Sequence, residues 1–254
     1  YLDAMILGTE IAARVGFAWN DRRGGPQAIG WLQTTTACGF GATAAACRLM
    51  GLDVKQTVHA LGINYAQASG NRQGLADMTL VKRIQPALAA RSALWSACLA
   101  ARGVTGPHRA FEGEQGLFKV YQSAEPPTVD ELMAPRKGWE IERDSIKRYP
   151  SCGASHPMIE AALRLVTEHD IDPSEVERIE ISWGGKPGNM LVGNAFELGD
   201  NPQVNAQFSA PYCVALAVVR RRQRIEDFKE ANIRADTAVI EMACKVRMVA
   251  IDPP

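Results

Sequence analysis

No two cysteines in this chain are spaced C-x-x-C, and Cys38, Cys47, Cys98, Cys152, Cys213 and Cys244 lie far apart in sequence. That excludes the tight cysteine groups of zinc and iron–sulfur sites and predicts buried, reduced thiols in a cytoplasmic protein. A basic excess is missing as well: Lys plus Arg and Asp plus Glu number 28 each. Nucleic-acid binding, which draws on phosphate neutralisation, is therefore not expected. No apolar run is long enough to span a membrane, since Ala37–Cys47 is broken by Gly and Thr and followed at once by Arg48. There is no signal peptide, repeat or low-complexity stretch. The chain starts within an amphipathic, helix-like stretch, Tyr1–Val15, and stops at Asp252-Pro253-Pro254 after a strand-like run. Both ends read as cuts within a longer protein.

What is present suits a folded enzyme domain. With 254 residues and 46% hydrophobic content, the chain can bury one large core or two modest ones. Residues 1–125 carry 12 basic and 8 acidic side chains, and residues 126–254 carry 16 and 20. The mild positive bias of the first part fits an anionic ligand.

Helix signals fill the first half. Leu2, Met5, Ile6, Ile11, Ala12 and Val15 keep a three-to-four residue rhythm. Asn20–Pro26 reads as a loop. Thr34–Met50 is a helix of small residues, predicted to be central because small side chains permit close approach. Asp53-Val54-Lys55-Gln56 is a capping box opening a helix to about Ile63. Ala87–Arg102 is another helix. A boundary is expected where composition changes, near Ser123–Pro127. Beyond it, Gly153–His169, Asn205–Arg220 and Thr237–Cys244 read as helices, and Val176–Ile181 and Val246–Val249 as strands. The predicted fold class is mainly α, with a helical domain over 1–125 and a smaller α+β domain over 126–254.

Four segments could carry chemistry. Thr34, Thr35 and Thr36, after Gln33, could cap their helix or leave its N–H groups to hold a carboxylate. Lys82 and Arg83 follow the Gly-rich, polar stretch Ser69–Gly74 and are either solvated cations or the wall of a cleft. Lys147–Pro157 gathers Lys147, Arg148, Ser151, Cys152, Ser155 and His156 at a helix start. A Cys152/His156 nucleophile pair is one reading there, whereas zinc lacks further ligands. Gln207–Tyr212 opens an apolar helix, where Tyr212 is either a core aromatic or a functional hydroxyl.

Taken in order, several stretches resemble the MmgE/PrpD family. They are Thr36–Ala42 into Arg48–Asp53, Ala60–Ile63 with Ala66–Gly70, Val81–Arg83 with Pro86–Arg91, Ala101–Pro107, Lys147–Pro157, and Gln207–Tyr212. The family includes 2-methylcitrate dehydratase, cis-aconitate decarboxylase and an iminodisuccinate epimerase. The resemblance implies a helical domain and an α+β lid with a cleft between them, no cofactor or metal, and a homodimer. It also implies a small anionic carboxylate as substrate, handled by a lyase of the 2-methylcitrate dehydratase type in propionate catabolism. Lys82, Lys147 and Tyr212 stand at positions that are active-site residues in the decarboxylase branch. Gln33 and Gln85 stand where the family often has His, and Cys152 where the decarboxylases carry one, which speaks against cis-aconitate decarboxylation.

The implied chemistry is removal of a proton next to an ionised carboxylate. Lys82, Arg83, Lys147 and Arg148 would hold the developing charge, and Gln33, Thr34, Thr35, Ser151, Cys152 and Ser155 would bind the substrate. His156 or Lys82 would take one proton-transfer role and Tyr212 the other. Two alternatives stay open: epimerisation or isomerisation of a dicarboxylate on the same fold, and a family member without catalysis.

Overall fold

The computed structural model describes residues 1–20, 30–122, 127–134, 138–184 and 192–251. Most of the loop read over Asn20–Pro26 and most of the boundary at Ser123–Pro127 lie outside the described residues. The chain forms two compact units, Tyr1–Ser145 and Ile146–Pro254.

The first unit is helical. Helix α1 spans Leu2–Asn20, α2 Gln33–Met50 and α3 Val54–Tyr65. The short α4 spans Gln73–Ala76, α5 Val81–Ala101, α6 Leu117–Gln122 and α7 Val129–Met133. Helix α2 packs against α1, α3 and α5, the central place that its small residues predict. A Cβ added to Gly41 would overlap the Gly8 carbonyl oxygen, so α1 and α2 meet backbone to backbone. Asp53 caps α3: its side chain accepts from Gln56 N–H at 2.8 Å, and Gln56 Oε1 accepts from Asp53 N–H at 3.1 Å. The aromatic part of the core gathers Trp19, Phe40, Leu117 and Phe118.

Helix α5 begins six residues earlier than its sequence signals, with Pro86 inside it. Lys82 and Arg83 thus belong to its first turn rather than to a preceding loop. The first unit also extends past the composition change at 125/126. Arg14 Nη1 donates to the carbonyls of Leu132 (2.8 Å) and Ala134 (3.2 Å), and Glu140 N–H donates to Glu10 Oε2 at 2.8 Å. These bonds tie Leu132, Ala134 and Glu140 back onto α1.

The second unit mixes helices with a small sheet. Helix α8 spans His156–Glu168 and strand β1 Ile179–Gly184. Helix α9 spans Pro202–Gln207, α10 Ala210–Arg220, α11 Glu230–Ala235 and α12 Thr237–Cys244, before strand β2 at Val246–Ile251. The strands pair in parallel from Ile179↔Val246 to Gly184↔Ile251. The single helix read over Asn205–Arg220 is two helices. Ser209 breaks it, because its hydroxyl accepts from Tyr212 N–H at 3.2 Å and caps α10, with Pro211 suited to the first turn. Residues 210–218 of α10 are all buried and form the middle of this unit's core. The fold is mainly α, a helical unit followed by an α+β unit, as expected.

All six cysteines are thiols. Cys47 and Cys213 are buried, but Cys38 and Cys244 are exposed, since each falls on an outward helix position. No helix among the described residues is long and apolar enough to cross a membrane.

Candidate functional site

In the first unit, two extended pieces meet ahead of α2. Trp31 and Asn71 form an antiparallel bridge, Leu32 N–H donates to Gly70 O at 3.2 Å, and Arg72 N–H donates to Gly30 O at 2.9 Å. Gly70 has φ +114°, and a Cβ there would overlap Thr35 Oγ1, so only glycine lets this loop lie against α2. Trp31 stacks on Tyr121 with centroids 4.3 Å apart, and the Tyr121 hydroxyl donates to Ala68 O at 2.7 Å, which fixes the loop's other end.

The threonines at the start of α2 do not cap it. Thr35 and Thr36 hydroxyls donate backward to the Leu32 carbonyl, at 2.5 and 3.0 Å, and both side chains are buried. Thr34 is exposed. Gln33 Nε2 donates to Gly16 O at 3.2 Å, tying α2 to α1. Gln85, only 7% exposed, holds the Asn71 backbone from both sides. Its Oε1 accepts from Asn71 N–H and its Nε2 donates to Asn71 O, each at 3.0 Å.

Behind this strut lies a cavity of about 220 Å³ between α2, α3, α5 and the 68–71 loop. Thr35 and Gly39 come from α2, Asn64 from α3, and Gln85, Ala89 and Ser92 from α5. From α5, Val81, Gln85, Leu88, Ala89 and Ser92 line it, and Lys82, outside that lining, follows Val81 in the helix's first turn. Lys82 is half-buried and Arg83 exposed. Partial burial lowers the Arg83 pKa from its ordinary value. Sequence reading missed Asn64, because a single Asn in an amphipathic helix looks like a solvent position; it is 2% exposed here.

In the second unit, residues 147–157 wrap the start of α8. Cys152 N–H donates to Gln207 O at 2.9 Å and Gln207 Nε2 donates to Pro150 O at 2.8 Å, latching the segment to α9. Lys147 Nζ donates to Ser151 O at 3.2 Å. Ser151 and Ser155 are buried with hydroxyls 3.0 Å apart, and Ser155 Oγ donates to Cys152 O at 2.7 Å. Those two serines therefore hold the turn together. Arg148 is exposed and donates to Glu160 at 2.8 Å, and the Tyr149 hydroxyl donates to the same carboxylate. Burial first, then Glu160, pushes the Tyr149 pKa up to about 12.

His156 sets its ring edge-on to Tyr149, 5.2 Å away, and its Nε2 is buried without a hydrogen-bond partner among the described residues. No hydrogen bond among the described residues joins Cys152 to His156, so the nucleophile pair is not assembled. Tyr212 is 1% exposed, packed among Phe196 and Phe228, with its hydroxyl 3.5 Å from the Asp227 carbonyl. Burial, then nearby Asp236, raises its pKa further still. Its ring takes a core position.

The chemistry-bearing groups are thus a polar cavity beside a Lys-Arg turn in a helical unit, and a Lys-Arg-Ser-His turn in an α+β unit. The chain belongs to the MmgE/PrpD family: residues 1–130 match the MmgE/PrpD N-terminal domain and residues 149–253 the C-terminal domain. It is 30% identical over 269 residues to the cis-aconitate decarboxylase-like protein oryM of Aspergillus oryzae, covering 100% of this chain and 55% of that protein. It is 28% identical over 239 residues to the cis-aconitate decarboxylase of Aspergillus terreus, covering 87% of this chain and 48% of that one. The chain spans about half the length of the curated relatives it matches.

Proposed function

We propose that the protein is a lyase that removes a proton next to a carboxylate of a small tricarboxylate, dehydrating a 2-methylcitrate-like acid. The observation that carries this reading is the position of Lys82 in the first turn of α5, beside Val81, on the helix whose Gln85, Ala89 and Ser92 line the cavity. Proton loss next to an ionised carboxylate builds a second negative charge, which needs a fixed positive charge close by. Lys82 and Arg83 supply it from the first turn of α5. Lys147 and Arg148 are proposed as further carboxylate contacts, and His156, whose Nε2 has no partner among the described residues, as a proton-transfer group. Tyr212 serves packing.

A second reading, decarboxylation of cis-aconitate, is favoured by the names of the relatives. It passes through a similar carbanion, reached by loss of CO₂ instead of a proton. Against it, Gln33 and Gln85 are amides committed to Gly16 and Asn71, so neither position offers an imidazole. Proton NMR of 2-methylcitrate and cis-aconitate incubated with the protein in deuterated water separates the outcomes. Loss of water gives an alkene from 2-methylcitrate, decarboxylation consumes cis-aconitate and releases CO₂, and epimerisation returns substrate with deuterium at the α carbon. A protein that neither converts nor binds either acid contradicts the proposal.

A further inference from the structure

We infer that the cavity between α2, α3 and α5 is a specificity pocket for an uncharged, hydrogen-bonding arm of a ligand, with Asn64 as its donor. Asn64 is 2% exposed, and its Nδ2 meets no acceptor among the described residues although it borders the cavity. Leaving a buried amide donor unmet is costly, so a ligand group or water must occupy the space before it. At about 220 Å³ the space is several times the roughly 30 Å³ that one water takes up in the liquid. It is also smaller than the roughly 300–1,000 Å³ of sites that enclose a whole drug-sized ligand. Part of a molecule fits it.

The lining decides the chemistry of that part. None of the described residues that line the cavity is ionisable, and a carboxylate pushed in would be desolvated with no counter-charge from them. The other polar groups are amides and hydroxyls. Several are already engaged: Gln85 holds Asn71, and Gln67 Nε2 donates to Ile63 O (3.3 Å) and Ser96 Oγ (3.0 Å). Among the described residues that line the cavity, Asn64 Nδ2 is the buried side-chain atom without a partner, which selects a carbonyl, amide or hydroxyl oxygen. That the ligand's other end is a carboxylate on Lys82 rests on the proposed function; the cavity's own preference does not. Together they define the substrate as a carboxylate that also bears a neutral oxygen, such as the hydroxyl of a 2-methylcitrate-like acid, and that oxygen rather than a carboxylate faces Asn64.

Gly39 provides the test. A Cβ there would lie 3.5 Å from Asn64 Nδ2 and 3.9 Å from Ala89 Cβ, ordinary contact distances, so Gly39→Ala fills the space before Asn64 without forcing the helices apart. The probes are acetamide, glutarate, and glutaramate, in which one carboxylate of glutarate is an amide. We expect acetamide to shift the Asn64 side-chain amide signal in ¹H–¹⁵N spectra, and glutaramate to bind about tenfold tighter than glutarate by calorimetry. Gly39→Ala should abolish both effects with its melting temperature preserved, and Asn64→Leu should abolish the preference. An Asn64 signal unmoved by acetamide means that the cavity holds water only and overturns the inference. Equal affinity for glutarate and glutaramate, or a preference that survives Gly39→Ala, does the same. If acetamide still moves Asn64 while Lys82→Ala leaves glutaramate affinity unchanged, the pocket stands and the carboxylate reading falls.

Discussion

Gln85 and the backbone of Asn71 are hydrogen-bonded in both directions, donor to acceptor and acceptor to donor, each at 3.0 Å. The amide thereby acts as one rung of a β-ladder, holding the 69–72 loop against α5. Gln85→Ala leaves both Asn71 groups without their partner. It should lower unfolding free energy by about 1–3 kcal/mol in urea titrations. Gln85→Glu keeps the acceptor but loses the donor and buries a carboxylate against the Asn71 carbonyl, and should be at least as destabilising as Gln85→Ala at neutral pH.

Two glycines of α2, two residues apart and so on nearly opposite faces, should respond oppositely to alanine. At Gly41 the new methyl would overlap the Gly8 carbonyl oxygen and lie 2.7 Å from Ala12 Cβ, so α1 must move away. Overpacking of this kind should cost about 2 kcal/mol or more. At Gly39 the methyl finds ordinary contacts, and the gain in helix propensity should hold stability within about 1 kcal/mol of wild type or raise it. Thermal melts of the two variants side by side check this.

Alkaline stability should depend on Tyr149. Its folded pKa is pushed up to about 12, above the ordinary value near 10, so the folded protein keeps a proton that the unfolded chain has released. The contribution is complete below about pH 10 and is lost as pH rises toward about 12. Melting temperature should therefore fall across that window, and Tyr149→Phe should flatten the fall relative to wild type. Parallel slopes for the two proteins would remove Tyr149 from the effect.

Features set by local chemistry were legible in the sequence. The Asp53–Gln56 capping box and the small-residue run of α2 need no tertiary information, and both are found as predicted. Features that depend on packing were not. Pro86 reads as a helix start because its ring suits a first turn, yet α5 runs through it from Val81. The apolar run over Asn205–Arg220 hides the cap at Ser209. The end of the first unit is fixed by Glu10 and Arg14, more than a hundred residues away from the backbone groups they bind.

The candidate site shows the same division. Lys82, Arg83, Lys147 and His156 stood out by residue type, whereas Asn64 is defined only by the three helices that bury it. Thr35 and Thr36 had the right residue type for a cap, but their hydroxyls turn back to Leu32 instead.

The central claim is that Lys82 stabilises negative charge developing on a small tricarboxylate. Steady-state turnover of 2-methylcitrate and cis-aconitate by the wild-type protein and by Lys82→Ala, with folding verified by melting temperature, tests it most directly. The account predicts turnover by wild type and a loss of at least about a hundredfold in kcat for the variant. A folded Lys82→Ala protein with near-normal kcat, or a wild-type protein inert toward both acids, would contradict it.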